Sequence, residues 1–158
     1  MRSVGPHVEW VQGSVHLLKF GDEHARAAFL GRLLLVAMAD LEQIDALCPS
    51  PLHPRRLRER GYNQSGLLAA AVSFEAGLEV VDALVRIVDT GHQVGLDAEA
   101  RATNVVGAFD IAPGADVGGR HVALIDDVVT TGSTATEAAR VLLRGGAATV
   151  SLVTVSRA

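Results

Sequence analysis

Residues 122 to 134 read Val-Ala-Leu-Ile-Asp-Asp-Val-Val-Thr-Thr-Gly-Ser-Thr, and this stretch restricts the fold more than any other. Val122 to Ile125 is short and β-branched at both ends, as expected of a central parallel strand buried on both faces. Asp126 and Asp127 then emerge at its carboxyl end. Ala135, Ala138, Ala139 and Leu142 recur at helical spacing. Thr130 to Thr134 must therefore turn the chain and open a helix whose first amides lack internal acceptors.

Unpaired amides at a helix start suit a phosphate. Gly132 lets backbone N–H groups approach an anion without an intervening side chain, while Thr130, Thr131, Ser133 and Thr134 supply hydroxyl donors. The carboxylates suit a different partner: vicinal sugar hydroxyls can donate to an acidic pair that also holds a divalent cation, directly or through water. The same residues also fit a plainer arrangement, a buried strand and a helix capped by Ser or Thr with no ligand. Other phosphate motifs do not compete. The only lysine is Lys19, so there is no Gly-Lys-Ser/Thr loop, and no Gly-x-Gly-x-x-Gly opens a helix after a strand.

The rest of the chain is consistent with one α/β unit. Its 158 residues, 49% of them apolar, suffice for a single core and fall short of two typical domains. No apolar run approaches the roughly 18 residues of a membrane span, and the start lacks a secretion-signal pattern, so a cytoplasmic location is expected. A lone cysteine, Cys48, allows no internal disulfide and is expected to lie buried at a strand end. Net charge is −4, which argues against an open nucleic-acid surface, but residues 55–60 carry a local +3 and form a discrete anion-site candidate.

Periodicity predicts a helix over 24–40, a strand over 44–48, and a loop from Pro49 in which three prolines by residue 54 prevent regular helix. A helical pattern resumes at Leu67, Leu68, Ala71 and Val72, with Asn63 or Ser65 as the cap. Ala83 to Val88 reads as a strand, Asp89 to Gly95 as a polar loop, Asp97 to Asn104 as a short helix, and Ala108 to Ile111 as a strand. Gly145-Gly146 ends the last helix before an apolar strand over 149–155. Alternating strands and helices imply a mostly parallel sheet, and the loops beginning at Pro49, Asp89 and Asp126 should converge on one crevice at its carboxyl end.

Residues 122–134 resemble the phosphoribosyl pyrophosphate (PRPP) motif of type I phosphoribosyltransferases. Two further stretches, Pro51-Leu-His-Pro-Arg-Arg-Leu-Arg-Glu-Arg-Gly-Tyr-Asn-Gln64 and Arg86 through Phe109, resemble the competence protein ComF branch from about residue 44 onward. The resemblance implies an α/β phosphoribosyltransferase fold: a mostly parallel twisted sheet flanked by helices, with a small hood. Residues 1–158 would form one domain, with 1–43 contributing a helix and part of the hood and 44–158 the core. It also implies a division of labour. Asp126 and Asp127 would be catalytic and would hold Mg2+, directly or through water; Thr130, Thr131, Gly132, Ser133 and Thr134 would bind the 5-phosphate. Ser50, Pro51, Leu52, His53, Arg56 and Arg60 would bind pyrophosphate, and Gln93, Arg101 and Asn104 would face the acceptor.

The arginines also fit a solvated helix start, and the hood residues an ordinary amphipathic helix and turn. His92 stands where the family leads one to expect proline, and is read as an exposed loop histidine. Many ComF-like chains carry a CxxC-type zinc module, and no such motif occurs in this sequence. Two functions remain open. One is Mg2+-dependent transfer of phosphoribosyl from PRPP to a nucleobase or amine. The other is a non-catalytic accessory role in natural competence that keeps the site and contacts single-stranded DNA or the competence machinery. Related transferases are often dimers, and the apolar stretch from Leu33 to Ala39 suits either core or a homodimer interface.

Overall fold

In the computed structural model, which describes residues 1–6, 13, 24–41, 43–89 and 105–158, the elements follow the chain in this order: β1 (Arg2–Pro6), α1 (His24–Met38), β2 (Ala46–Pro49), α2 (Pro54–Arg60), α3 (Gln64–Ala76), β3 (Glu79–Val80), β4 (Leu84–Arg86), β5 (Phe109–Ile111), β6 (His121–Val129), α4 (Ser133–Arg144) and β7 (Thr149–Arg157). Five strands pair in parallel in the order β1-β7-β6-β2-β3, and β4 and β5 form a separate antiparallel pair.

β6 is central, and its alternation assigns it to two cores. Ala123 and Ile125 pack with Leu30 and Leu34 of α1, Leu68 and Val72 of α3, and Leu47 of β2. Val122 and Leu124 pack on the other side with Val141 and Leu142 of α4, with Cys48, and with Leu84 and Phe109 of the antiparallel pair. Cys48 is fully buried as expected, and that burial pushes its thiol up to about 12. α3, following β2, therefore covers one face of the sheet, while α4, following β6, covers the other. Since β2 and β6 are neighbours, with Pro49 opposite Ile125, their outgoing loops part here, which is where open parallel sheets form a ligand crevice.

Several expectations need correction. The strand bearing the two acids does not end at Ile125 but runs to Val129, because β7 continues the ladder, pairing Asp126 with Thr154 and Val129 with Arg157. The proline-rich segment is not loop throughout: α2 starts at Pro54, where a fixed φ and missing N–H are harmless at the first helical position. The strand expected over 83–88 is shorter and joins β5 outside the parallel sheet. β1 and β3 were not foreseen. Both are short, and β1 contains Gly5 and Pro6, so neither shows an alternating pattern. The helix expected over 97–104 lies outside the described residues.

The apolar α1 turns out to be two-sided. Leu30, Leu34 and Met38 are buried, whereas Phe29 is 55% and Val36 75% exposed. No helix among the described residues is long and apolar enough to cross a membrane.

α4 is tied to the antiparallel pair by Glu137, which is buried and accepts from the Gly107 amide at 2.8 Å while holding Arg140 through both carboxylate oxygens, at 2.6 and 2.9 Å. The Arg140 guanidinium, followed by the Gly107 N–H, holds this carboxyl down at about 2. Because the folded state binds the proton more weakly than an unfolded glutamate near ~4.3, this stabilisation is complete above that value and is lost as pH falls toward 2. Glu137→Gln should therefore cost about 1–2 kcal/mol at pH 7, at the low end because Arg140 is solvent-screened. The gap from wild type in urea midpoint should narrow between pH 4.5 and pH 2; a pH-independent gap would contradict this origin.

Thr154 presents the opposite case. It is fully buried in β7, opposite Asp126, and its hydroxyl has no hydrogen-bond partner among the described residues. An unsatisfied buried hydroxyl costs about 1–3 kcal/mol. Thr154→Val is isosteric and should raise the melting temperature by roughly 2–12 °C; a melting temperature below that of wild type would show that the hydroxyl is satisfied.

Candidate functional site

Local geometry at the end of β6 leaves a helix start open to a recess. Gly132 adopts φ +79 and serves as the N-cap of α4, with no side chain capping the helix. A Cβ there would touch only Val129, at 3.8 Å, so glycine is required by its backbone conformation rather than by crowding. Thr131 Oγ1 and Ser133 Oγ lie 2.9 Å apart, and the Ser133 amide points at Thr131 Oγ1 from 3.4 Å. These hydroxyls and the uncapped helix start, with its positive dipole end, line a recess of about 150 Å³ together with Asp126, Val128 and Val129.

The two acids are held differently. Asp126 lines the recess; its Oδ1 accepts from Ser65 Oγ at 3.0 Å and from the Asp127 amide at 2.9 Å. Asp127 is 4% exposed, and its Oδ1 accepts from the Val128 amide at 2.9 Å. Burial, and next the neighbouring Asp127 charge, push the Asp126 carboxyl up to about 7. Two adjacent carboxylates in such a place are electrostatically costly unless cationic or hydroxyl partners arrive.

Ser50, Pro51, Leu52 and His53 do not line the recess but leave β2 beside it. The Ser50 amide donates to the Ile125 carbonyl at 2.9 Å, and the Ser50 carbonyl accepts from Asn63 Nδ2 at 3.0 Å. His53 Nδ1 caps α2 by accepting from the Arg55 amide at 3.3 Å and lies 3.9 Å from Asp89. Much of the local positive charge is already balanced. Arg55 pairs with Glu59 at 2.9 Å and Asp89 at 3.3 Å, Arg56 pairs with Glu59 at 3.0 Å, and Arg60 donates to Gln64. Exposed pairs of this kind are weak, so a phosphate can displace them. Asp89 thus lies against the segment that follows Pro49, and that segment against β6 beside Asp126; the rest of the loop expected from Asp89 lies outside the described residues. Gln93, Arg101 and Asn104 lie outside the described residues, as does His92.

Two residues near the acids were not singled out as site residues in the sequence. Ser65 had appeared only as a possible helix cap. Arg86 had appeared only as the start of a motif stretch, yet its half-buried guanidinium sits 5.6 Å from the centroid of Phe109 and feels the charges of Asp126 and Asp89. Burial lowers its pKa and the two acids oppose that. A long-range ion field of this kind has no local sequence signal.

No family model matches the sequence. DNA utilization protein YhgH of Escherichia coli O157:H7 is 40% identical over 143 residues, covering 86% of this chain and 62% of that protein. The protein of the same name in Salmonella typhimurium is 42% identical over the same shares. The chain thus spans less than two thirds of these relatives' length. Competence protein F of Haemophilus influenzae is 32% identical over 163 residues, covering 98% of this chain and 71% of that protein. Among solved structures, the glutamine PRPP amidotransferase of B. subtilis superposes with TM-score 0.57 at 18% identity, over 86% of this chain and 29% of that one. Adenine phosphoribosyltransferase from Thermoanaerobacter pseudethanolicus superposes with TM-score 0.55 at 14% identity, over 84% and 68%. The sheet order, the split of α3 and α4 across it and these likenesses agree: the chain belongs to the competence protein F (ComF) family and has the type I phosphoribosyltransferase fold.

Proposed function

We propose that this chain binds PRPP at the end of β6 and transfers its phosphoribosyl group, with Mg2+, to a nucleobase or amine acceptor. The observation that carries this reading is the N-terminus of α4, whose N-cap Gly132 has no side chain to cap it, placed beside Asp126 in one recess. Thr130 to Thr134 would seat the 5-phosphate, with helix amides and hydroxyls donating to its oxygens. Asp126 and Asp127 would accept from the ribose hydroxyls and stabilise positive charge developing at the anomeric carbon as its bond to pyrophosphate breaks. Arg56 and Arg60 would exchange Glu59 and Gln64 for the pyrophosphate oxygens. Gln93, Arg101 and Asn104 are proposed to meet the acceptor.

The donor set is suited to magnesium. Among the described residues no group of three or more His, Cys, Asp or Glu could hold a metal ion, so two carboxylates would supply only part of a shell. Magnesium binds in this manner, through one or two carboxylates plus water and substrate phosphate. When bound it would offset the charge of the departing pyrophosphate.

Calorimetric titration of PRPP with Mg2+ tests the reading. One saturable site is expected, and no detectable binding at millimolar PRPP would overturn it.

A second reading is favoured by the names of the relatives, DNA utilization protein and competence protein F. In it, the fold keeps its phosphate and ribose seat but serves DNA uptake without catalysis, touching single-stranded DNA through Arg55 to Arg60. Phosphate contacts would then give a steep negative slope of log affinity against log salt. A flat slope would count against this role.

A further inference from the structure

A chain of hydrogen bonds at the start of α3 links both halves of the candidate site. Asn63, the N-cap, accepts from the Ser65 amide through Oδ1 at 3.1 Å and donates through Nδ2 to the Ser50 carbonyl at 3.0 Å. Ser65, fully buried, donates through Oγ to Asp126 Oδ1 at 3.0 Å, across 61 positions of sequence. The Ser50 amide closes the circuit on Ile125, the residue before Asp126. Gln64, between the two, is itself buried and accepts from Arg60.

Helix capping alone explains only part of this. A cap needs Asn63 Oδ1 and nothing more. The second amide arm and the Ser65 hydroxyl both leave the helix, one toward each substrate-facing loop. Ser65 and the Asp127 amide both engage Oδ1 of Asp126, so the orientation of the carboxylate is fixed through that oxygen.

We propose that Asn63 and Ser65 are positioning residues that form one strut: Ser65 aims Asp126 at the ribose hydroxyls, and Asn63 sets the Ser50 peptide that opens the pyrophosphate loop. This rests on the phosphoribosyl reading of the recess. Neither side chain touches the reacting atoms; each acts through the group it holds. The strut orients the ribose and pyrophosphate seats before substrate arrives, and such preorganisation is where positioning energy is gained.

The experiment uses the whole chain and three probes: PRPP, ribose 5-phosphate and inorganic pyrophosphate, each with Mg2+. Ser65→Ala should weaken ribose 5-phosphate and PRPP about tenfold, the effect of one hydrogen bond to a charged group, and leave pyrophosphate within twofold. Asn63→Ser keeps an oxygen cap for the Ser65 amide but has no second arm. It should weaken pyrophosphate and PRPP and leave ribose 5-phosphate within twofold. Equal losses for all three probes, following the fall in melting temperature, would mean that the pair is merely structural. Unchanged affinities in both variants would also overturn the strut, while leaving the phosphoribosyl reading intact. A wild-type chain that binds none of the probes overturns that reading and the strut with it.

Discussion

Asp126→Asn is expected to remove PRPP binding and, at the same time, to stabilise the ligand-free protein above pH 7. The first effect follows from the position of Asp126 on the recess wall, with Oδ1 already occupied by Ser65 and the Asp127 amide. Asparagine preserves the Oδ1 acceptor and replaces the other oxygen by an amide donor, which repels ribose hydroxyl donors and any cation. A loss of at least ~100-fold is expected, from a missing charged hydrogen bond and a missing metal contact together. The second effect has a definite sign. Burial, and after it Asp127, raises the folded-state pKa of Asp126 to about 7, above an unfolded value near ~3.9. The folded chain therefore holds the extra proton between these values, so wild-type stability declines as pH rises from about 4 to about 7.

Asparagine cannot ionise and escapes that decline. Wild type and variant should have similar urea midpoints near pH 4, and the variant should gain about 1–2 kcal/mol by pH 8 in buffer free of divalent cations. The full shift corresponds to a ceiling of roughly 4 kcal/mol, reduced because solvent reaches part of Asp126. Such a gain in stability with a loss of binding is the pattern of a site held in an unfavourable state for its ligand. A variant less stable than wild type at pH 8, or one that still binds PRPP, would contradict the assignment.

The second large effect lies away from the recess, where α1 crosses α3. A Cβ on Gly31 would stand 2.7 Å from Ala71 Cβ and 3.3 Å from the Ala71 backbone carbon. Neither atom can rotate away, so the helices would have to move apart. Gly31→Val is expected to cost about 2–3 kcal/mol through overpacking, seen as a melting temperature lower by roughly 4–12 °C. Ala71→Gly removes the nearest atom and should recover part of that loss in the double variant, although alone it is unfavourable in a helix. Strictly additive losses would show that the two residues do not meet. Because α3 also carries Asn63 and Ser65 at its start, a displaced helix should weaken PRPP binding as well.

The elements that were legible beforehand are those whose evidence is local. Thr130 to Thr134 declared a helix start because glycine, hydroxyl residues and helical spacing occur within a dozen positions, and α4 begins at Ser133. The cap of α3, expected at Asn63 or Ser65 and found at Asn63, and the burial of Cys48 were legible for the same reason. The extent of β6 was not, since Asp126 to Val129 carry no apolar run of their own and remain extended because β7 pairs with them. α2 was legible only as the alternative reading of its arginines, because three prolines look like a helix breaker until the third occupies the first helical position.

The sequence by itself determined the chemistry offered at the end of one strand: paired acids, then a glycine turn rich in hydroxyls, then a helix. Periodicity and turn residues are enough for that, as each reports on its near neighbours. Only the tertiary structure decided which groups meet there. It brought Ser65 to Asp126 and Asn63 to Ser50, brought Arg86 within the field of the acids, and balanced Arg55 with Asp89. These contacts depend on the order of strands in the sheet and the face on which each helix packs. A pattern of buried and exposed positions states that a side chain will be covered, but not by which distant residue.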